Sequence, residues 1–138
     1  GKRRSPCNEA ECGHHYARAM SAYGLLLAAS GFQYDRRADR IGFAPRIHEG
    51  YFQSFWALDG VWGTYAQQLE QAEFRICYGS LPLRQLDLAW LADMESVTVE
   101  RIDAKGNKKL LSASLDGDAV ILSRPITLKA SEVLRIRG

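Results

Sequence analysis

The segment from Cys7 to Ser21 holds two thiols (Cys7, Cys12), two carboxylates (Glu9, Glu11), two imidazoles (His14, His15), a phenol (Tyr16) and a guanidinium (Arg18). An apolar stretch from Ala19 to Ala29 follows at once. Polar groups gathered at the mouth of an apolar helix look like a ligand site rather than a solvated face. Adjacent histidines on a helix diverge by about 100°, and no second C-x-x-C or H-x-x-x-H pair completes a tetrahedral set, so a metal centre is disfavoured. A Cys12–His15 nucleophile would gain from a thiolate at a helix N-terminus, yet no oxyanion-donor segment or third orienting group accompanies it. One of the two histidines is expected to orient a carboxylate through an imidazole hydrogen bond. For Glu9 and Arg18 the blander alternative is a helix-terminus ion pair with no ligand.

The words Asn8-Glu9-Ala10-Glu11-Cys12-Gly13 and His15-Tyr16-Ala17-Arg18-Ala19-Met20 resemble a segment of glycoside hydrolase family 116, the bile-acid β-glucosidase or non-lysosomal glucosylceramidase family. Ser30-Gly31-Phe32-Gln33-Tyr34, Ile41-Gly42-Phe43-Ala44-Pro45-Arg46 and Trp62-Gly63-Thr64 are similar to bacterial relatives in the same order. His14 departs from the pattern, which has Asp there. The resemblance covers the first half of the chain. It implies an (α/α)6 barrel, of which this chain carries a terminal helix, and a retaining mechanism run by a Glu nucleophile and an Asp acid/base. Both of those carboxylates belong to segments upstream of this sequence. Retention needs two carboxyl groups roughly 5–5.5 Å apart across the sugar, so the chain alone is expected to be inactive. By resemblance, Glu9 and Arg18 match positions that hold glucose hydroxyls.

Helical angles constrain that site. Glu11, His14, His15 and Arg18 share one stripe at i, i+3, i+4 and i+7, whereas Glu9 and Arg18 would lie half a turn apart on a continuous helix. To grip one sugar, Glu9 must sit in the loop before the helix, which is then expected to begin near Glu11–Gly13 and to stop at Ser30-Gly31. From Ala19 onward this helix is apolar on nearly every side, with Met20, Tyr23 and Leu27 on one face, Leu25 and Ala29 on another and Leu26 between. A helix apolar all round requires cover all round, either inside a larger helical barrel or from a second subunit.

Phe52, Phe55, Trp56, Trp62 and Tyr65 are aromatic enough to stack on sugar rings, although such residues more often fill cores. Trp62, between Gly60 and Gly63, has neighbours small enough to leave its indole face open. The candidate substrate-binding set is therefore Glu9, Arg18, His15 and Trp62, with no catalytic residue, metal or cofactor assigned to this chain.

The 138 residues carry a formal net charge of +2, which fits one small domain with its own core and names no partner. Basic residues are scattered apart from Lys2-Arg3-Arg4, so no nucleic-acid footprint is expected. The apolar stretch is too short to span a bilayer, and no signal-peptide pattern is seen. Three cysteines leave an odd one, and reduced thiols are expected. The chain opens at Gly1 without Met, as expected of a piece of a longer protein.

After Phe32 the pattern turns to β. A short strand is expected over Ile41–Ile47, ending near Pro45, and a helical turn or loop over Tyr51–Leu58. Ala72, Phe74, Ile76 and Tyr78 alternate with Glu73, Arg75 and Cys77, as on a half-buried strand. Leu86, Leu88 and Trp90 repeat the alternation, as do Val97 and Val99. Lys105-Gly106-Asn107 and Asp116-Gly117-Asp118 are turns ahead of strands at Val120–Leu122, Ile126–Leu128 and Val133–Ile136. The expected class is α+β: one long buried N-terminal helix, residues 1–35, then an antiparallel β-sandwich-like tail, residues 36–138. Two readings follow. The chain is the C-terminal portion of a retaining β-glucosidase-like hydrolase, partnered by a β-glucoside and by the upstream catalytic part, and homo-oligomeric when isolated. The alternative is a non-catalytic β-sandwich module that binds carbohydrate or another protein.

Overall fold

The computed structural model describes residues 19–48 and 50–138. It is α+β: among the described residues a single α-helix, α1 (Ala19–Ser30), precedes two sheets packed face to face. One sheet contains β1 (Gln33–Asp35), β2 (Arg40–Phe43), β6 (Ser80–Leu88), β10 (Ala119–Lys129) and β9 (Ala113–Asp116), in that spatial order. The other contains β3 (Tyr51–Leu58), β4 (Val61–Gln68), β5 (Gln71–Tyr78), β11 (Val133–Arg137), β7 (Thr98–Ile102) and β8 (Lys108–Leu111). All pairings are antiparallel except β2 with β6.

The inner faces supply one continuous core. Ile41, Phe43, Leu83, Leu86, Val120 and Leu128 of the first sheet meet Trp56, Tyr65, Phe74, Ile76, Leu134 and Ile136 of the second, each no more than 3% exposed. Aromatic stacking sets the spacing at the centre. Phe43 lies on Tyr65 with centroids 4.1 Å apart and planes 4° apart, and Trp56 lies on Phe74 at 4.9 Å and 11°. The Tyr65 hydroxyl, fully enclosed by this packing, donates to Gln67 Oε1 at 2.7 Å. Burial pushes that phenol far above its ordinary range, because the anion would have to form away from water.

A bulge changes the facing of one strand, and tight corners carry the chain between sheets. At Arg84-Gln85 both amide N–H groups donate to the Asp39 carbonyl, at 2.8 and 3.3 Å, and this doubled contact flips the inward parity of β6 from Leu81 and Leu83 to Leu86 and Leu88. Between β8 and β9 the crossing takes the single residue Ser112. Its Oγ is 2.9 Å from Ser123 Oγ, and its carbonyl accepts from Ser123 N, also at 2.9 Å. The expected turn at Lys105-Gly106-Asn107 is present, tied by Asp103, whose carboxylate accepts from Lys105 N at 2.8 Å and from Asn107 N at 2.9 Å. The Asn107 side chain, followed by the backbone donors of the turn, holds that carboxyl below its usual range.

Several expectations change. Tyr51–Leu58 is neither turn nor loop but a full strand, β3. Its pattern misleads because Ser54 points inward while Tyr51 and Phe55 point outward. The strand expected to end near Pro45 stops two residues before it, at Phe43, since Pro45 has no N–H to continue the ladder. Trp90 does not extend β6; it sits in a 3-10 turn, Ala89–Leu91. The two expected strands at Val120–Leu122 and Ile126–Leu128 are one element, β10, with its pairing to β6 interrupted between Ile121 and Ile126.

The helix α1 has a defined junction with the sandwich. Its C-terminal end is tied to the body: Ala44 N donates to Ser30 O at 3.0 Å, Arg46 N to Ala29 O at 2.9 Å, and Ser30 Oγ to Leu26 O at 2.8 Å. Gly31 makes the junction, with φ of 58° and with the Ala44 backbone occupying the space a Cβ would need. Beyond that junction, large apolar side chains of the helix stand exposed among the described residues. Tyr23 is 59% exposed, Leu25 74% and Leu27 49%. No described helix is long and apolar enough to cross a membrane.

Candidate binding surface

Of the four residues expected to bind substrate, Glu9, His15 and Arg18 lie outside the described residues, as do Cys7, Glu11, Cys12, His14 and the expected start of the helix. Trp62 is described. It stands on the outer face of β4, 46% exposed. The other aromatics divide by strand parity: Phe52, Trp56 and Tyr65 point into the core, and Phe55 points out beside Trp62.

A β-bulge adds a residue to that outer face. Trp62 pairs with Tyr78, but the next residue of β4, Gly63, pairs with Ile76, so Cys77 has no partner in the register. The alternation that buries Ala72, Phe74 and Ile76 breaks there, and Tyr78 turns out to solvent at 62% exposure instead of continuing the buried row. Gly79 then takes a φ of 78°, with the Gly60 carbonyl occupying the space a side chain would need. This close approach of the β3–β4 and β5–β6 corners holds Tyr78 beside Trp62. Directly opposed residues on antiparallel strands have Cβ atoms about 4.5–5.5 Å apart, and diagonal neighbours about 7–8 Å. Trp62 and Tyr78 are opposed, and Phe55 is diagonal to Trp62 through the Ala57–Trp62 pair.

Polar side chains occupy the rest of the face. One row runs Gln53, Ala66, Glu73, Arg135, Glu100 across β3, β4, β5, β11 and β7. Arg135 donates to Glu73 Oε1 through Nε at 2.9 Å and Nη2 at 2.8 Å, and its Nη1 lies 3.5 Å from Glu100 Oε2. Arg75 Nη2 is 4.0 Å from Glu73 Oε2, and Arg137 Nε donates to Gln71 Oε1 at 3.0 Å. A depression of about 250 Å³ opens beside this row, lined by Tyr51, Gln53, Ala66, Gln68, Gln71 and Glu73 among others. Both carboxylates of the row are engaged by Arg135. The face therefore offers stacking and hydrogen bonding, with no free carboxylic acid poised for proton transfer.

Tyr78 and Tyr51 were missed as outward aromatics. For Tyr78 a signal existed, because a glycine directly after an alternating run marks a bulge or a corner. Among the described residues no group of three or more His, Cys, Asp or Glu could hold a metal ion, and Cys77 is a free, half-buried thiol. In comparison with known proteins, no family model matches the chain and no curated protein matches it.

Proposed function

We propose that this chain is the C-terminal portion of a retaining β-glycosidase resembling family 116. In this reading α1 docks into an upstream helical barrel and brings Glu9, Arg18 and His15 to a glucose site, while the sandwich anchors the helix at Ser30-Gly31. The observation that carries it is the uncovered apolar surface of α1, where Tyr23, Leu25 and Leu27 stand in solvent on a helix with no polar face. The sequence words around Glu9 and Arg18 supply the sugar chemistry.

The chain alone is expected to show no turnover of an aryl β-glucoside. Joined to an upstream catalytic part, it is expected to support hydrolysis with retention, and Arg18→Ala there raises KM about tenfold with a smaller change in kcat. Turnover by the isolated chain, or unchanged kinetics in both Glu9→Ala and Arg18→Ala, overturns the reading.

The same helix predicts self-association of the isolated chain, since a second copy is then its available cover. Sedimentation is expected to show a concentration-dependent oligomer that Leu25→Lys together with Leu27→Lys converts to monomer. A sharp monomer of the unaltered chain at high concentration would count against the need for cover. The alternative reading, a non-catalytic β-sandwich binding module, is favoured by a different observation: the outward Trp62, Tyr78 and Phe55.

A further inference from the structure

We infer that the outer face of β3, β4 and β5 is a binding site for a neutral oligosaccharide chain, with Trp62 and Tyr78 as its stacking platform. This deepens the binding-module reading and stands whether or not the chain serves a glycosidase. A pyranose ring presents axial C–H groups of slight positive charge, which settle on the negative face of an aromatic ring, and it presents hydroxyls at its rim that need amide, carboxylate or guanidinium partners. This face supplies both. Trp62 and Tyr78 are adjacent across β4 and β5, Phe55 flanks them, and Gln53, Gln68 and Glu73 line the depression farther along the same strands. The row between them is Phe55, Thr64 and Arg75, so a chain running from Trp62 to the depression passes over the short Thr64 with an aromatic on one side and a guanidinium on the other. From Tyr51 to Ala57 the strand runs about 20 Å, long enough for several linked sugars.

Charge separates this occupant from a polyanion. Phosphate-backbone binders need several uncompensated cations, whereas here Arg135 is held by Glu73 and Glu100, Arg75 sits near Glu73, and of these arginines only Arg137, bonded to the neutral Gln71, has no carboxylate beside it. Placement separates it from the surface that α1 needs covered. The helix joins the body at Ala44–Arg46, just before β3 begins at Tyr51, while Trp62 lies at the far end of the same hairpin.

The test is titration of the whole chain with hexasaccharides of β-1,4-glucan, β-1,3-glucan, β-1,4-mannan and β-1,4-xylan, by calorimetry and by the Trp62 indole N–H resonance. At least one is expected to bind with saturation below about 10 mM, and to lose about tenfold or more in affinity in both Trp62→Ala and Tyr78→Ala. Leu110→Ala, an exposed apolar residue at the opposite edge of the sheet, is expected to bind unchanged. The exposed positions of Trp62 and Tyr78 leave the core intact, and thermal unfolding of each variant confirms folding. No binding by any of the four, or binding indifferent to both substitutions, overturns the inference. So does self-association that Trp62→Ala abolishes, which would make the face a contact between copies. Loss of sugar binding here leaves the glycosidase reading standing, and loss of turnover in the Arg18 variant leaves this one standing.

Discussion

Gly63→Ala is expected to cost the fold about 2–3 kcal/mol, although it adds only a methyl group. Gly63 is buried in β4, opposite Trp56 on β3 and Ile76 on β5. A Cβ placed there runs into the Arg75 carbonyl oxygen, lies 3.0 Å from the Arg75 carbonyl carbon and comes within 2.7 Å of Trp56 Cζ2. Neither neighbour yields easily. The Arg75 carbonyl belongs to the backbone of β5 just before the bulge, and the Trp56 indole is stacked on Phe74 at 4.9 Å. Replacing glycine in a strand restores roughly 0.5–1 kcal/mol of chain entropy, which does not offset the clash. For a domain of this size the loss corresponds to a fall in Tm of roughly 8–12 °C. Gly60→Ala is the contrasting variant: nothing lies within 4 Å of its Cβ, and only its φ of 73° resists the change, so about 1 kcal/mol is expected. Urea unfolding followed by tryptophan fluorescence checks both. Equal losses at the two glycines would show that Trp56 does not rest on Gly63.

Glu132→Ala is the second large effect, at about 2–3 kcal/mol. Glu132 is 9% exposed, and both its carboxylate oxygens lie 2.7 Å from Arg101 Nη2. Oε2 also accepts from Lys129 N at 2.7 Å, closing the β10–β11 corner, while Arg101 reaches on to the Thr127 carbonyl at 3.1 Å. One side chain thus joins β7 to the corner that carries the chain from one sheet to the other. Truncation leaves a partly buried guanidinium without its carboxylate and the Lys129 N–H without its acceptor. Glu132→Gln keeps an acceptor and is expected to lose about half as much. Because Arg101 is 26% exposed, part of the deficit is recovered by water, which keeps the figure below that of a fully buried pair. If Glu132→Ala unfolds at the same urea concentration as the unaltered chain, the carboxylate contributes nothing to that corner.

How far the fold could be read in advance depended on strand parity. Ala72, Phe74 and Ile76 sit where alternation places them, and the glycine turns at Gly106 and Gly117 fall where expected. Tyr51–Leu58 was illegible because its inward set includes Ser54 and its outward set includes Tyr51 and Phe55, so hydropathy no longer tracks direction. Tyr78 was read as buried because a two-residue period carries no mark of the extra residue at Cys77. At the candidate site, Trp62 was recognised for its small neighbours, but the reason for its exposure is its parity on β4.

The amino-acid sequence by itself determined the class: an apolar helix stopped at Ser30-Gly31, then a β-rich remainder punctuated by turns, although β1, β3, β4, β8 and β9 went unread. Local chemistry is sufficient there, since helix stop signals, alternation and turn propensities act over a few residues. It also showed that α1 has no polar face, which the exposed Tyr23, Leu25 and Leu27 reflect. Which aromatics face the core and which face solvent was decided only by the tertiary structure. A bulge at Cys77 and the approach of Gly79 to Gly60 shift register by one residue, and one residue is enough to turn a side chain from one face of a sheet to the other.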